Sequence, residues 1–119
     1  NTNSKKCWVV GFSFGAWVAM QLLMRRPEIN GFVCVSPPAN IRDFSFLAPC
    51  PSSGIIIHGD KDTIASYDSA KILFEKLQKQ KKEDIIFRSV KGADHFYENY
   101  KEEFSSIVNS YIKNKLLEK

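Results

Sequence analysis

Short runs of apolar residues alternate with longer stretches of helical periodicity along this chain. Cys7–Val10 reads as a strand that ends at Gly11. Phe14–Arg26 reads as a helix that is apolar nearly all round, with Gln21 the lone polar residue before the arginines; such a helix is expected to be buried. Arg25 and Arg26 suit the negative end of its dipole, and Pro27 stops it. Phe32–Val35 predicts a second strand, ending at Ser36-Pro37-Pro38. A proline-containing loop follows to Ser53, with a short turn near Asp43–Leu47. Ile55–His58, opened by Gly54 and closed by Gly59, predicts a third strand, and its unbroken β-branched run predicts burial on both faces, as in a parallel sheet.

Ala70, Leu73, Phe74 and Leu77 keep the spacing of one buried helical face and predict a helix over Ser66–Gln80. Ile85–Val90 predicts a fourth strand. A last helix spans Lys101–Leu117, with Phe104, Ile107, Val108, Tyr111 and Ile112 as its inward stripe. The order β-α-β-loop-β-α-β-α implies an α/β fold, a parallel sheet flanked by helices in three layers.

Composition changes this picture little. The 119 residues are 44% hydrophobic and 25% charged, which suits one globular domain or part of one. The net charge of +4 is concentrated in Gln78–Lys82 and Lys113–Lys119, which read as solvated helix ends. No aromatics interleave with these lysines, so a nucleic-acid surface is not expected. Three cysteines, Cys7, Cys34 and Cys50, without a C-x-x-C pair, argue against a disulfide framework and a structural zinc site. Free thiols imply a reducing compartment, and a cytoplasmic location is expected. No apolar run has the length of a membrane span. Asn1-Thr2-Asn3-Ser4 leads almost at once into a buried-looking strand, which suggests that an upstream portion is missing.

The candidate chemistry begins at Gly11-Phe12-Ser13-Phe14-Gly15, a G-x-S-x-G segment between a strand and a helix. A turn this tight strains the serine backbone and brings neighbouring chain close to the flanking glycines. It presents the Ser13 hydroxyl at a helix N-terminus, where the backbone N–H of Phe14 can meet a developing oxyanion. A serine hydroxyl needs a base, and the base needs an orienting acid. Of the two histidines, His58 lies in an apolar run and reads as structural. His95 lies in a loop after the fourth strand, free to point at a site. Asp60 and Asp62 follow the third strand, and either can supply the acid. Loops that follow parallel strands emerge at one sheet edge, so Ser13, Asp60 or Asp62, and His95 can converge there. Their order in the chain is Ser…Asp…His.

On Gly11-Phe12-Ser13-Phe14-Gly15-Ala16, His58-Gly59-Asp60-Lys61-Asp62 and Gly92-Ala93-Asp94-His95-Phe96, the chain resembles the C-terminal half of an α/β-hydrolase. It looks most like the small lidless bacterial hydrolases related to dienelactone hydrolases and to cytosolic esterases. The resemblance implies Ser13 as nucleophile, His95 as base and Asp62 as acid, with Asp60 a turn residue. It implies a serine hydrolase of small esters, lactones or similar acyl substrates that needs no cofactor and no metal. Residues 1–119 would then form a partial domain, from the nucleophile-elbow strand to the C-terminal helix. The family's earlier strands, and the loop that supplies a second oxyanion N–H, have no counterpart here. Pairing with a separate N-terminal segment, or self-association along Cys7–Val10, is expected to cover that strand. The alternative is a catalytically inactive hydrolase fragment that serves as a binding or assembly module.

Overall fold

The structure is a computed structural model that describes residues 7–47, 49–80 and 84–117. The opening Asn1–Ser4 segment, and part of each lysine-rich stretch, lie outside the described residues. The elements are β1 (Trp8–Phe12), α1 (Phe14–Arg25), β2 (Gly31–Val35), a short 3-10 turn (Ser45–Leu47), β3 (Ser53–Gly59), α2 (Tyr67–Gln80), β4 (Ile85–Val90) and α3 (Lys101–Leu117). The expected α/β architecture is present: the four strands are parallel and stand in the order β1-β2-β3-β4.

Side chains of the central strands alternate between two apolar layers. Phe32, Cys34 and Ile56 face α1 and α2, meeting Ala16, Ala19, Met20, Leu23, Leu73 and Leu77. Val33, Val35, Ile55 and Ile57 face α3, meeting Ile107 and Tyr111. Burial on both faces explains why β2 and β3 read as unbroken apolar runs. Phe44 and Leu47 are buried in the α1–α2 layer, so the loop before β3 packs against the sheet.

Element boundaries differ from the sequence pattern where pairing decides them. Gly11 and Phe12 continue β1 because they stand opposite Cys34 and Val35. Helix α1 stops at Arg25, since the residue before a proline is pushed out of the helical region, and Arg26 is extended at φ −119°. Ser66 sits just outside α2 and caps it, its hydroxyl accepting the Ser69 N–H at 3.1 Å.

One packing expectation fails. Helix α1 buries one face only. Phe14, Val18, Leu22 and Met24 on its other face are 40–51% exposed. Val10 of β1, whose strand pairs only with β2 among the described residues, is exposed as well. No helix among the described residues is long and apolar enough to cross a membrane.

Candidate active site

The site begins at the turn between β1 and α1. Ser13 has φ 57° and ψ −122°, outside the regions that ordinary side chains prefer. Its N–H donates to the Val35 carbonyl at 2.8 Å, and its own carbonyl accepts the Ala16 N–H at 2.8 Å. These bonds clamp the turn to β2 and to the first turn of α1. The Ser13 hydroxyl makes no capping bond to the helix, so it is free for another partner. Phe14 is the first helical residue, and its N–H therefore has no acceptor within the helix.

Crowding at the elbow is one-sided. A Cβ at Gly11 would stand 2.4 Å from the Gly15 carbonyl oxygen and 2.6 Å from Ala16 Cα, so α1 crosses β1 where only hydrogen fits. At Gly15, expected to be equally crowded, a Cβ would meet no described atom within 4 Å, because this residue lies on the outward face of α1.

The β3–α2 loop supplies carboxylates. Asp62 Oδ1 accepts the N–H groups of Ile64 and Ala65, each at 2.8 Å. Its Oδ2 points inward, and its side chain is fully buried. Asp60 faces elsewhere: its Oδ1 accepts the Gly92 N–H at 2.7 Å and ties the β3–α2 loop to the β4–α3 loop. Of the two aspartates that spacing left open, Asp62 is the one that reaches a histidine.

The β4–α3 loop carries His95, which is 4% exposed. Its Nδ1 lies 2.7 Å from Asp62 Oδ2, and its Nε2 lies 2.9 Å from Ser13 Oγ. A carboxylate accepts, so Nδ1 carries the hydrogen and Nε2 presents a lone pair to the serine hydroxyl. The loop is pinned from below. Tyr97 is buried, with its hydroxyl donating to the Ile57 carbonyl at 3.2 Å and lying 3.0 Å from the Ser36 hydroxyl. Burial pushes its phenol up to about 12. A Cβ on Gly59 would stand 2.3 Å from the Ala93 carbonyl oxygen, so the loop lies directly against the end of β3.

Aromatic rings flank the histidine. Phe12 and Phe96 lie 5.1 Å and 5.0 Å from the imidazole of His95, centroid to centroid. They continue into an open, mainly apolar groove of about 370 Å³ that Tyr97, Lys101, Phe104 and Ser105 also line. Among the described residues no group of three or more histidine, cysteine, aspartate or glutamate side chains is placed to hold a metal ion.

Pattern reading treated His58 as an ordinary core residue. It is fully buried, with Nε2 2.7 Å from the Ala65 carbonyl and 3.3 Å from Asp62 Oδ2. Burial holds its ring below the ordinary histidine range, against the Ala65 carbonyl and Asp62, which favour the charged form. The available signal was its position four residues before Asp62, at the end of a strand that delivers the loop.

Comparison with known proteins bears on the family and the fold. The sequence model of the dienelactone hydrolase family matches residues 1–116. An uncharacterized protein of Rickettsia prowazekii is 50% identical over 116 residues, covering 94% of this chain. The chain spans 49% of that relative's length. A crystal structure from Agrobacterium tumefaciens, of a protein of unknown function grouped with the α/β hydrolases, is 51% identical with a TM-score of 0.92. That match covers 95% of this chain and 52% of the Agrobacterium chain. A lidless serine hydrolase of the same fold from Xanthomonas campestris has a TM-score of 0.81 at 22% identity, covering 98% of this chain and 50% of its own; at that identity the likeness speaks for the fold alone.

Proposed function

This chain belongs to the dienelactone hydrolase family, and we propose that it carries the catalytic residues of a serine hydrolase that cleaves small esters, lactones or similar acyl compounds. The observation that supports this reading is the continuous hydrogen-bonded line Asp62–His95–Ser13, with links of 2.7 and 2.9 Å. Those lengths lie within the reach needed for proton transfer between nucleophile and base.

In this mechanism Ser13 Oγ attacks the substrate carbonyl carbon while its proton passes to His95 Nε2. The carbonyl π pair moves to oxygen, and the Phe14 N–H donates to that oxyanion at the positive end of α1. The intermediate collapses as His95 returns the proton to the leaving oxygen, which leaves Ser13 acylated. Water then attacks the acyl carbon, again giving its proton to His95, and Ser13 departs with that proton restored. Asp62 holds the Nδ1–H and stabilises the imidazolium that forms in each half-reaction. The rings of Phe12 and Phe96 form an apolar wall at the imidazole and suit a substrate with a hydrocarbon or aromatic portion.

The test is covalent labelling of the intact enzyme with a fluorophosphonate. Label is expected on Ser13 and is expected to vanish in His95→Ala. An intact protein that takes up no label rejects the mechanism.

A further inference from the structure

We propose that His58 is a positioning residue for Asp62: its Nε2–H, lodged between the Ala65 carbonyl and Asp62 Oδ2, holds the carboxylate at the angle that meets His95. The inference rests on the reading of Asp62 and His95 as acid and base.

The tautomer follows from the partners. A carbonyl oxygen only accepts hydrogen bonds, and Ala65 O stands 2.7 Å from Nε2, so Nε2 carries the hydrogen. Asp62 Oδ2 lies 3.3 Å from the same nitrogen, close enough to feel the N–H dipole. Nδ1 is left as a buried lone pair with no hydrogen-bond partner among the described residues. A second proton there would create a cation with one N–H unsolvated, and the ring stands fully buried, its centroid 6.0 Å from that of the Tyr67 ring. His58 therefore acts as a neutral donor.

The contacts of Asp62 show what that donor does. Oδ1 is held by the N–H groups of Ile64 and Ala65. Oδ2 is hydrogen-bonded to His95 Nδ1 on one side, and His58 Nε2 stands 3.3 Å from it on the other. Ala65 thus grips one carboxylate oxygen through its N–H, while its carbonyl is gripped by His58. With both oxygens fixed, the carboxylate plane cannot swing away when His95 moves toward substrate. Neutrality is the property that makes histidine suitable. A lysine or arginine in its place would offset the negative charge that Asp62 must present to the His95 imidazolium. A neutral N–H orients the carboxylate and leaves its charge available.

The experiment compares His58→Leu with His58→Gln and His58→Asn in the intact enzyme, with kcat and KM for an activated ester normalised to sites titrated by fluorophosphonate. Glutamine extends an N–H to the position of Nε2, asparagine stops at the position of Nδ1, and leucine offers none. Expected is a fall in kcat per titrated site of about 10- to 100-fold for leucine and asparagine, with KM little changed, and recovery of most of that loss by glutamine. A purely structural role would lower the number of titratable sites and leave kcat per site unchanged. Wild-type kcat per site in His58→Asn or His58→Leu, or an equal loss in His58→Gln, overturns the proposal. If leucine prevents folding, the glutamine–asparagine pair decides. A parent enzyme that is not labelled rejects the triad reading itself, and this inference with it.

Discussion

Ser13 Oγ and His95 Nε2 stand 2.9 Å apart although 82 positions separate them in the chain. Neither residue reaches the other by local structure. Ser13 is delivered by the turn that leaves β1, and His95 by the loop that leaves β4, at opposite edges of the described sheet. The two inner strands hold the ends of both loops, through Val35 for the serine and through Ile57 and Gly59 for the histidine loop.

Asp62→Asn is expected to leave the fold intact and to reduce kcat by about 10³- to 10⁴-fold, because an amide can present its NH₂ to Nδ1 and favour the wrong imidazole tautomer. Steady-state kinetics on the folded variant checks this. A loss below about tenfold argues that Asp62 is not the acid of the site.

Gly11→Ala and Gly15→Ala should separate sharply. The first places a methyl against backbone atoms of α1 at 2.4–2.6 Å, which cannot move without shifting the helix; a loss of about 3 kcal/mol or more is expected. The second meets nothing among the described residues, and in this chain it is expected to be near neutral or mildly stabilising, as alanine outranks glycine in a helix. Urea midpoints of the two variants give the comparison.

Tyr97→Phe removes the hydroxyl that joins Ser36 to the Ile57 carbonyl beneath the His95 loop. The expected cost is about 1–3 kcal/mol, because buried polar partners lose their bond. Chemical denaturation measures it, and a change below about 0.5 kcal/mol would show that the tie contributes little to stability.

His58 gives stability a pH dependence. Its native proton affinity is lowered by burial, while in the unfolded chain it titrates near the ordinary value of 6.5. Below that value the unfolded chain takes up a proton that the native state refuses. Stability is therefore fully present above 6.5 and falls as pH drops toward the native value, by up to about 1.4 kcal/mol per pH unit. Urea midpoints measured downward from neutral pH should show this slope and should lose it in His58→Gln. An unchanged slope in the variant assigns the effect to another group.

Thiol reactivity should follow burial. Cys7 is exposed, whereas Cys34 and Cys50 are buried, and burial pushes the Cys34 thiol far above the ordinary cysteine range. A disulfide reagent is expected to modify Cys7 quickly in the native chain and the other two only after unfolding. Rapid modification of Cys34 in native buffer would contradict the packing of β2.

Much of this molecule was legible from residue order. The elbow at Gly11–Gly15, the apolar runs of β2 and β3, and the inward stripes of α2 and α3 are local signals, carried by period and by turn chemistry. Residue order also singled out Ser13 and His95, with Asp60 or Asp62, as candidates for the proposed site. Tertiary structure decided the rest. It extended β1 through Gly11 and Phe12, because strand pairing outweighs the weak strand preference of glycine. It left Gly15 uncrowded, left one face of α1 exposed, and turned Asp60 toward Gly92 and Asp62 toward His95. It also set His58, an unremarkable core residue by pattern, against the carboxylate. Periodicity reports which way a side chain leaves its own strand or helix. Which atom it then meets depends on how separate loops come together above the sheet, and distances of that kind are not encoded in spacing along the chain.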